Sequence, residues 1–466
     1  MQVFNTLGRV RQPFEPRDEG KVGMYVCGPT VQSRPHLGHG RAAVAFDVIR
    51  RYLEWRGFEV TYVQNVTDVE DKIIAAAAEQ GVPADELAVR YAEIFRTAYA
   101  GLGVRPPTLE PRATAHIPQM IAMIEQLIER GHAYPAGGDV YFAVRSFDGY
   151  GALSGRDIDE LRSGSRVEPG EQKHDPLDFA LWKAAKPGEP HWESPWGEGR
   201  PGWHIECSAM AIDYLGTGFD IHAGGTDLVF PHHENEIAQA EAATGEPFSR
   251  YWLHNGLLNL KGEKMSKSTG HVVDLLEALD EHQWQAVRLF YLRTHYRKPL
   301  DYTDEAMADA TAQLERVWAF GRRTASSSGV ADAATLDAFR EAMDDDFDAA
   351  GGLAVVFEAV REGNRRLDAG EDASGLAAAV AEIVDVLGLA PDGPDIDDLS
   401  AALGEMGERF GVAGDGPVEM VDALVAHRTS SRDTRDWATA DAVRDALAEI
   451  GIIVEDGPDG SRWHRG

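Results

Sequence analysis

Two short strings, His36-Leu37-Gly38-His39 and Lys264-Met265-Ser266-Lys267-Ser268, carry residue types suited to a nucleoside triphosphate. The first follows an apolar run over 22–27 and precedes a helical pattern with Ala42, Ala45, Phe46, Ile49, Tyr52 and Leu53 on one face. It therefore falls at a strand-to-helix turn. Backbone N–H groups and the helix dipole at such a turn favour an anionic phosphate, and His36 and His39 add two imidazole donors. Gly38, lacking a side chain, lets a flat base lie against the backbone. Alone, this string also fits a surface turn with two solvated histidines. The second string places Lys264 and Lys267 among Gly262, Ser266, Ser268 and Gly270, a composition suited to a loop that closes over a triphosphate. Only nine of the 45 basic residues are lysines, and three of them, Lys261, Lys264 and Lys267, fall in this loop. Together the two strings describe a site for attack on ATP at its α-phosphate, with Mg2+ accompanying the nucleotide.

Two cysteines occur. Cys27 ends the first apolar run, and Cys207 lies in Trp203-His204-Ile205-Glu206-Cys207, at the opening of a helical segment. Farther on, Pro231-His232-His233-Glu234-Asn235-Glu236 starts another helix, on which His232 and Glu236, four apart, share a face. Two thiolates, an imidazole and a carboxylate make a tetrahedral zinc set. From the residues alone, two other readings stand beside it. Each cysteine also fits as a small buried hydrophobe, or the two form a disulfide, which a reducing compartment disfavours.

The elements that must hold these groups are readable in outline. Over 24–71 the order strand, turn, helix, strand, with Phe58, Val60 and Tyr62 alternating, is a βαβ unit of a parallel sheet. Ligands of such a sheet bind at the carboxyl ends of its strands. A helical stretch over 84–102 breaks at Arg105-Pro106-Pro107. Residues 110–200 read as an insertion, with a helix over 117–130, an alternating run over 140–144 and loops rich in Gly, Pro and Trp. The sheet resumes around Phe219-Asp220-Ile221-His222-Ala223 and over 252–260. The expectation is an α/β, Rossmann-type nucleotide-binding fold over 1–110 and 200–260, split by the 110–200 insertion and followed by a lysine-loop region over 261–304. Beyond Pro299, Ala, Asp, Glu and Arg in helical periodicity predict a helical bundle over 305–390. The linker Pro391-Asp392-Gly393-Pro394 then leads to a small carboxyl-terminal module over 395–466.

At 466 residues the chain is long enough for several domains. It has no run of 18 apolar residues and no apolar signal core at the amino terminus, which predicts a soluble cytoplasmic protein. Its 45 basic and 77 acidic residues give a net charge of −32, a poor start for binding a polyanion. An acidic, lysine-poor surface suits a salt-rich cytoplasm, where charge repulsion is screened. The alternative is an acidic protein of an ordinary cell.

The two strings resemble the HIGH and KMSKS signatures of class I aminoacyl-tRNA synthetases, with Leu37 in place of the usual isoleucine and the second string matching letter for letter. Within that class, MYVCGPTV over 24–31, GWHIECSAM over 202–210 and GGTDLVFPHHENEIAQ over 224–239 are similar to cysteinyl-tRNA synthetases. The resemblance implies zinc ligands at Cys27, Cys207, His232 and Glu236. Chemistry gives the metal a purpose, because an apolar pocket discriminates poorly between cysteine and serine, whereas zinc favours the sulfur. No editing site would then be needed, and an insertion of some 90 residues is too short to hold a hydrolytic editing domain.

The same resemblance implies catalytic and ATP-binding roles for His36, Gly38, His39, Lys264 and Lys267. Tyr25, Gly28 and Thr30 flank the first zinc ligand, Thr67 lies near the amino-acid backbone, and Trp203 and Asp227 line the adenylate pocket. The expected reaction activates L-cysteine with ATP and transfers it to tRNA(Cys), with the chain acting as a monomer. Arg435-Asp436-Trp437-Ala438 and the segment ending at Trp463 resemble the family's anticodon-binding end. Trp437 and Trp463 are candidates for base stacking, or they fill a small core. From Arg428 onward six arginines face eight acidic residues, so charge adds no support for RNA there. Two rivals remain, a mycothiol-pathway ligase joining cysteine to an amino sugar and a non-catalytic RNA-binding paralogue. The 437–463 segment argues against the first, and the intact KMSKS string and zinc set argue against the second.

Overall fold

Strand Lys21–Val26 buries Val22, Met24, Tyr25 and Val26, the near-continuous apolar run of a strand covered on both faces. It is central to an all-parallel sheet of four strands, ordered Ser249–Asn255, Phe219–Gly225, Lys21–Val26, Glu59–Gln64. The structure is a computed structural model and describes residues 1–158, 172–260, 263–264, 273–325, 327–392, 396–457 and 460–465. From Lys21–Val26 the chain passes through helix Leu37–Trp55 to Glu59–Gln64 on one side; from Phe219–Gly225 it passes through helix Glu234–Thr244 to Ser249–Asn255 on the other. Winding outward in both directions opens a crevice at the carboxyl ends of the two strands where the order reverses. Cys27 sits there, its N–H donating to Ala223 O at 3.0 Å.

Between the second and third strands of this sheet come helices Asp71–Gln80, Ala84–Gly101 and Ile117–Glu129. A separate antiparallel sheet follows, in the order Ala133–Ala136, Asp139–Phe142, Phe179–Ala184, Gly199–Pro201. The two faces of the central sheet feed different cores. On one, Val44, Val48 and Tyr52 join Ile221, Leu253 and the later helices. On the other, Tyr25, Phe219 and Trp252 pack with Met210, Ile124 and Trp182.

The expected single strand over 252–260 is two strands. Ser249–Asn255 belongs to the central sheet, whereas Leu258–Leu260 pairs with Leu300–Tyr302 and Glu263–Lys264. The break falls at Gly256, where a Cβ would meet Lys298 O at 2.3 Å, so the chain turns where only glycine fits. Where the described chain resumes at Val273, Leu37 N donates to Val273 O at 3.1 Å and Leu275 N to Pro35 O at 3.0 Å. The Asp274 carboxylate caps helix Leu275–Glu281 and also receives Arg34 Nε at 2.6 Å. These contacts hold residues 273–275 against the His36 turn.

Helices Asp304–Arg323, Ala333–Asp344, Ala349–Asp368 and Ser374–Val386 form the bundle, and side chains of Thr303, Asp332 and Asp348 cap the first three. The carboxyl-terminal module comprises helices Ser400–Phe410, Pro417–Asp433 and Trp437–Glu449 and the hairpin Ile452–Gly457 with Gly460–Arg465. It has its own core of Leu403, Val421, Leu424, Val443, Leu447 and Ile452. A hairpin of Gln2–Asn5 with Val10–Pro13, too short to read from alternation, precedes everything. Among the described residues no helix is long and apolar enough to cross a membrane.

Candidate active site

His36 is the N-cap of helix Leu37–Trp55, and its N–H donates to His39 Nδ1 at 3.1 Å. The two imidazoles stack with centroids 3.7 Å apart and line a pocket of about 390 Å³ at the sheet's crevice. Gly38 lies between them, and a Cβ there would come 2.9 Å from His36 Nδ1. Buried Arg41 donates to the carbonyl of the pocket-lining Leu257 at 2.7 Å and to that of Lys298. Burial lowers its pKa to about 10, so the cation persists at neutral pH.

Behind this pocket, titratable groups gather on four elements. Cys27 Sγ lies 3.4 Å from both His222 Nε2 and Glu236 Oε1. His232 Nε2 is 2.9 Å from Glu236 Oε1, as their four-residue spacing requires, although the regular helix begins only at Glu234. Two overlapping sets, Cys27-Cys207-His232-Glu236 and Cys27-His222-His233-Glu236, each hold their donor atoms within 4.8 Å of one another. Zinc bonds of about 2.0–2.3 Å put tetrahedral donors roughly 3.3–3.8 Å apart, so the residues fit that ion. The set containing both sulfurs is the softer and the better match for it.

Electrostatics within the cluster follow from burial and pairing. Burial disfavours a charged His232, yet Glu236 and Cys207 outweigh it and raise the imidazole to about 10. The hydrogen bond with Cys27 brings the Cys207 thiol down to about 7 against the effect of burial. Burial pushes the Cys27 thiol up, as do Cys207 and Glu236. Against its own burial, Glu236 is held well below the ordinary carboxylate range by His222 and His232. A second rank of histidines orients the first. His204 Nδ1 is 2.9 Å from His232 Nδ1, and His254 Nε2 is 2.8 Å from His233 Nδ1. Burial lowers His254 to about 3, so it stays neutral.

Comparison with known proteins supplies the context for this geometry. Residues 13–312 match the family model for the tRNA synthetases class I (C) catalytic domain, 338–391 the DALR domain, and 416–463 the cysteinyl-tRNA ligase anticodon binding domain. The cysteine–tRNA ligase of Halorhodospira halophila is 51% identical over 469 residues, covering 100% of this chain and 99% of that protein. The chain belongs to the cysteine–tRNA ligase family. It is a class I aminoacyl-tRNA synthetase. The cysteine–tRNA ligase of Chromohalobacter salexigens is 49% identical over 465 residues, 99% of each chain. Among solved structures, Mycobacterium tuberculosis methionyl-tRNA synthetase with methionyl-adenylate shares the fold at a TM-score of 0.59 and 18% identity, covering 84% of this chain and 94% of that one. The Agrobacterium radiobacter K84 LeuRS-tRNA-LeuAMS complex also aligns with a TM-score of 0.59, at 13% identity over 81% of this chain and 84% of that one.

In this ligase Gly28, Thr30, Trp203 and Asp227 line the same pocket as His36, Gly38 and His39. Gly28 is dictated by space, because a Cβ would fall 1.6 Å from Asn65 O, and its N–H donates to Asn65 Oδ1 at 2.8 Å. Thr67 is buried behind it, receiving Asn65 Nδ2 at 3.2 Å, and does not line the pocket. Tyr25 is likewise buried, where burial and the two thiols push its hydroxyl well up in pKa. Trp203 stacks on His232 at 4.2 Å between centroids, joining the pocket to the cluster.

Lys264 lies in the short strand Glu263–Lys264, and its side chain, like the whole of Lys267, is outside the described residues. Trp437 is 56% exposed at the start of helix Trp437–Glu449, far from this site in sequence. Trp463 packs against the module's core and donates from Nε1 to Asp422 Oδ1 at 2.7 Å. Sequence reasoning missed His222, His204 and Lys72. His222 sits alone in an apolar strand with no spacing partner. Lys72, over the Trp203 ring at 5.6 Å, was legible only as one of few lysines.

Proposed function

We propose that this ligase selects cysteine by its thiol at a zinc site of Cys27, Cys207, His232 and Glu236, and that His36, His39, Lys264 and Lys267 serve the adenylation step. The carboxylate of L-cysteine attacks the α-phosphorus of ATP, and the electron pair of the breaking bond leaves with pyrophosphate, accompanied by Mg2+. A hydroxyl of the 3′-terminal adenosine of tRNA(Cys) then attacks the carbonyl of cysteinyl adenylate, and AMP leaves. The convergence of two sulfurs, an imidazole and a carboxylate beside the His36 turn carries this reading.

The zinc ion, when bound, supplies a thiophilic centre that accepts a sulfur ligand more readily than an alcohol oxygen. The chain's own residues do the rest. His36 and His39 donate to phosphate oxygens at the helix N-terminus, where the dipole favours the charge. Gly38 keeps the approach to the backbone open, and Asp227 and Trp203 bound the adenylate. Lys264 and Lys267 neutralise the negative charge that develops on the leaving phosphates. No side-chain nucleophile is required, and positioning supplies much of the rate. Trp437 and Trp463 are assigned to the anticodon end, and the enzyme acts as a cytoplasmic monomer.

The experiment is ATP–pyrophosphate exchange with each amino acid in turn, paired with elemental analysis of the purified protein. Exchange confined to cysteine, about one zinc per chain, and loss of both in Cys207→Ser are expected. Zinc-free native protein with full exchange would overturn the metal assignment.

A further inference from the structure

We infer that Asp346, in the helical bundle, is a positioning residue for adenylation: its carboxylate holds segment 295–298 and, through it, the stretch 256–258 that lines the catalytic pocket. This inference rests on the adenylation step of the proposed function. Asp346 and Phe347, between helices Ala333–Asp344 and Ala349–Asp368, have φ of 63° and 55°. Among the described residues the other non-glycine residues at positive φ are Arg9 and Arg435, each isolated. Aspartate tolerates that region, whereas phenylalanine there is an outlier. Were turning the chain the whole task, glycine would do it at less cost. Both side chains are buried, so the reason for the strained corner lies in what they touch. Phe347 packs edge-on against Tyr52 of helix Leu37–Trp55, with ring centroids 6.3 Å apart.

The Asp346 carboxylate gathers three consecutive residues of a distant segment. Its Oδ1 accepts from the Tyr296 hydroxyl at 3.2 Å, and its Oδ2 accepts from Arg297 Nε at 2.6 Å. His295 Nε2 lies 3.5 Å from the same Oδ2. The amino-terminal hairpin braces the arrangement. Phe4 N donates to Oδ1 at 2.8 Å, Asp346 N donates to Gln2 O at 2.8 Å, and the Arg297 guanidinium lies over the Phe4 ring at 4.2 Å. A buried carboxylate with this many donors fixes the segment that supplies them.

That segment is bonded through its backbone to the pocket. Tyr296 O accepts from Gly256 N at 2.8 Å, and Leu257 O accepts from Leu300 N at 3.0 Å. Gly256, Leu257 and Leu258 all line the pocket. Arg41, on the helix that opens at the His36 turn, donates to Leu257 O and to Lys298 O. Residues 256–258 are thus held between the segment that Asp346 fixes and the helix proposed to bind phosphate. Strand Leu258–Leu260 also pairs with Glu263–Lys264, which begins the lysine string. Both links join this stretch to groups assigned to ATP, whereas the thiol of cysteine is assigned to Cys27, Cys207, His232 and Glu236. Displacing it should therefore weaken ATP more than cysteine.

The test is cysteine-dependent ATP–pyrophosphate exchange by the full chain carrying Asp346→Gly, which relieves the backbone and removes the carboxylate. Asp346→Asn, which keeps one acceptor oxygen and tolerates the same backbone, is its conservative counterpart. The expected result for Asp346→Gly is a rise of about tenfold or more in KM for ATP, with KM for cysteine within about twofold of the native value, since small misplacements in a site are costly. Asp346→Asn should fall between Asp346→Gly and the native protein. A native KM for ATP in Asp346→Gly would overturn the proposal and leave the residue as a corner of the bundle. So would matching rises in both KM values, which would mark a support of the whole fold. Should Asp346→Gly fail to fold, Arg297→Gln reads the same split from the other end of the ion pair, and an unchanged KM for ATP there overturns the proposal. Failure of the native protein to exchange with cysteine would instead strike the proposed function itself.

Discussion

Arg288 Nη2 donates to Asp47 Oδ2 at 2.7 Å, across 241 positions of sequence, with both side chains sealed from solvent. The pair ties the helix that carries His36 and His39 to helix Trp284–Leu292, and Arg288 adds bonds to Leu102 O and Leu387 O at 3.1 and 3.2 Å. Burial raises the Asp47 carboxyl, but Arg288, Arg51 and the Arg105 N–H outweigh it and hold the pKa below the ordinary range. A depressed carboxylate contributes stability above its unfolded pKa of about 3.9 and loses it as pH falls toward the folded value.

Asp47→Ala should therefore strand a buried guanidinium and cost about 3–5 kcal/mol in urea unfolding at pH 7. Asp47→Leu combined with Arg288→Met should restore most of that loss. A cost below about 1 kcal/mol for the single variant would mean water or another acid reaches Arg288.

Within the cluster, among the described residues, His204 hydrogen-bonds to the ring of His232 alone. His204→Ala should keep all four proposed zinc ligands yet weaken zinc retention about 10- to 100-fold, measured by competition with a chelator. Unchanged retention would argue that His232 is held by Trp203 stacking alone.

The proposed role of Lys267 lies in the chemical step. Lys267→Ala should lower the rate of adenylate formation by orders of magnitude, since a charge aimed at the transition state is worth several kcal/mol. Cysteine affinity, read from equilibrium binding, should persist. A parallel loss of cysteine binding would make the lysine a structural element of the loop.

Because the carboxyl-terminal module buries its own apolar cluster, its removal should leave the rest folded. Truncation after Pro394 should preserve pyrophosphate exchange and cripple charging of tRNA(Cys). Normal charging by the shortened chain would strip Trp437 and Trp463 of an anticodon role.

Charge sets the salt response. Added salt weakens RNA binding by counterion release, while it also screens the repulsion between a −32 chain and tRNA. Between ~0.1 M and ~1 M KCl the Debye length falls from about 10 to about 3 Å. Charging activity should hold or rise over that range, and Tm should rise with it. A steep fall in tRNA affinity with a salt-independent Tm would show an acidic surface without salt adaptation.

What the sequence revealed was local or periodic. The βαβ unit followed from an apolar run, a 3.6-residue pattern and an alternating strand, and the His36 turn lies where those patterns meet. The pairing of His232 with Glu236 followed from helical spacing, even though the turn over Val229–His233 precedes the regular helix. Hidden features depend on tertiary approach. His222 reaches Cys27 and Glu236 from an inner strand of the central sheet, with no periodic signal. Gly256 breaks a strand because a carbonyl from residue 298 presses on it, and Asp47 looks like an ordinary helix-surface acid until Arg288 arrives.

The separation between Cys27 and Glu236, 209 positions, has a consequence for how the molecule is made. During synthesis the first donor emerges long before the last, with the whole insertion between them. Closing so long a loop carries an entropic cost that grows only logarithmically with its length. An ion that binds the assembled donors and not the open chain shifts the equilibrium by RT ln(1 + [L]/Kd). If the proposed zinc occupies these donors, its supply bears on folding yield as well as on activity.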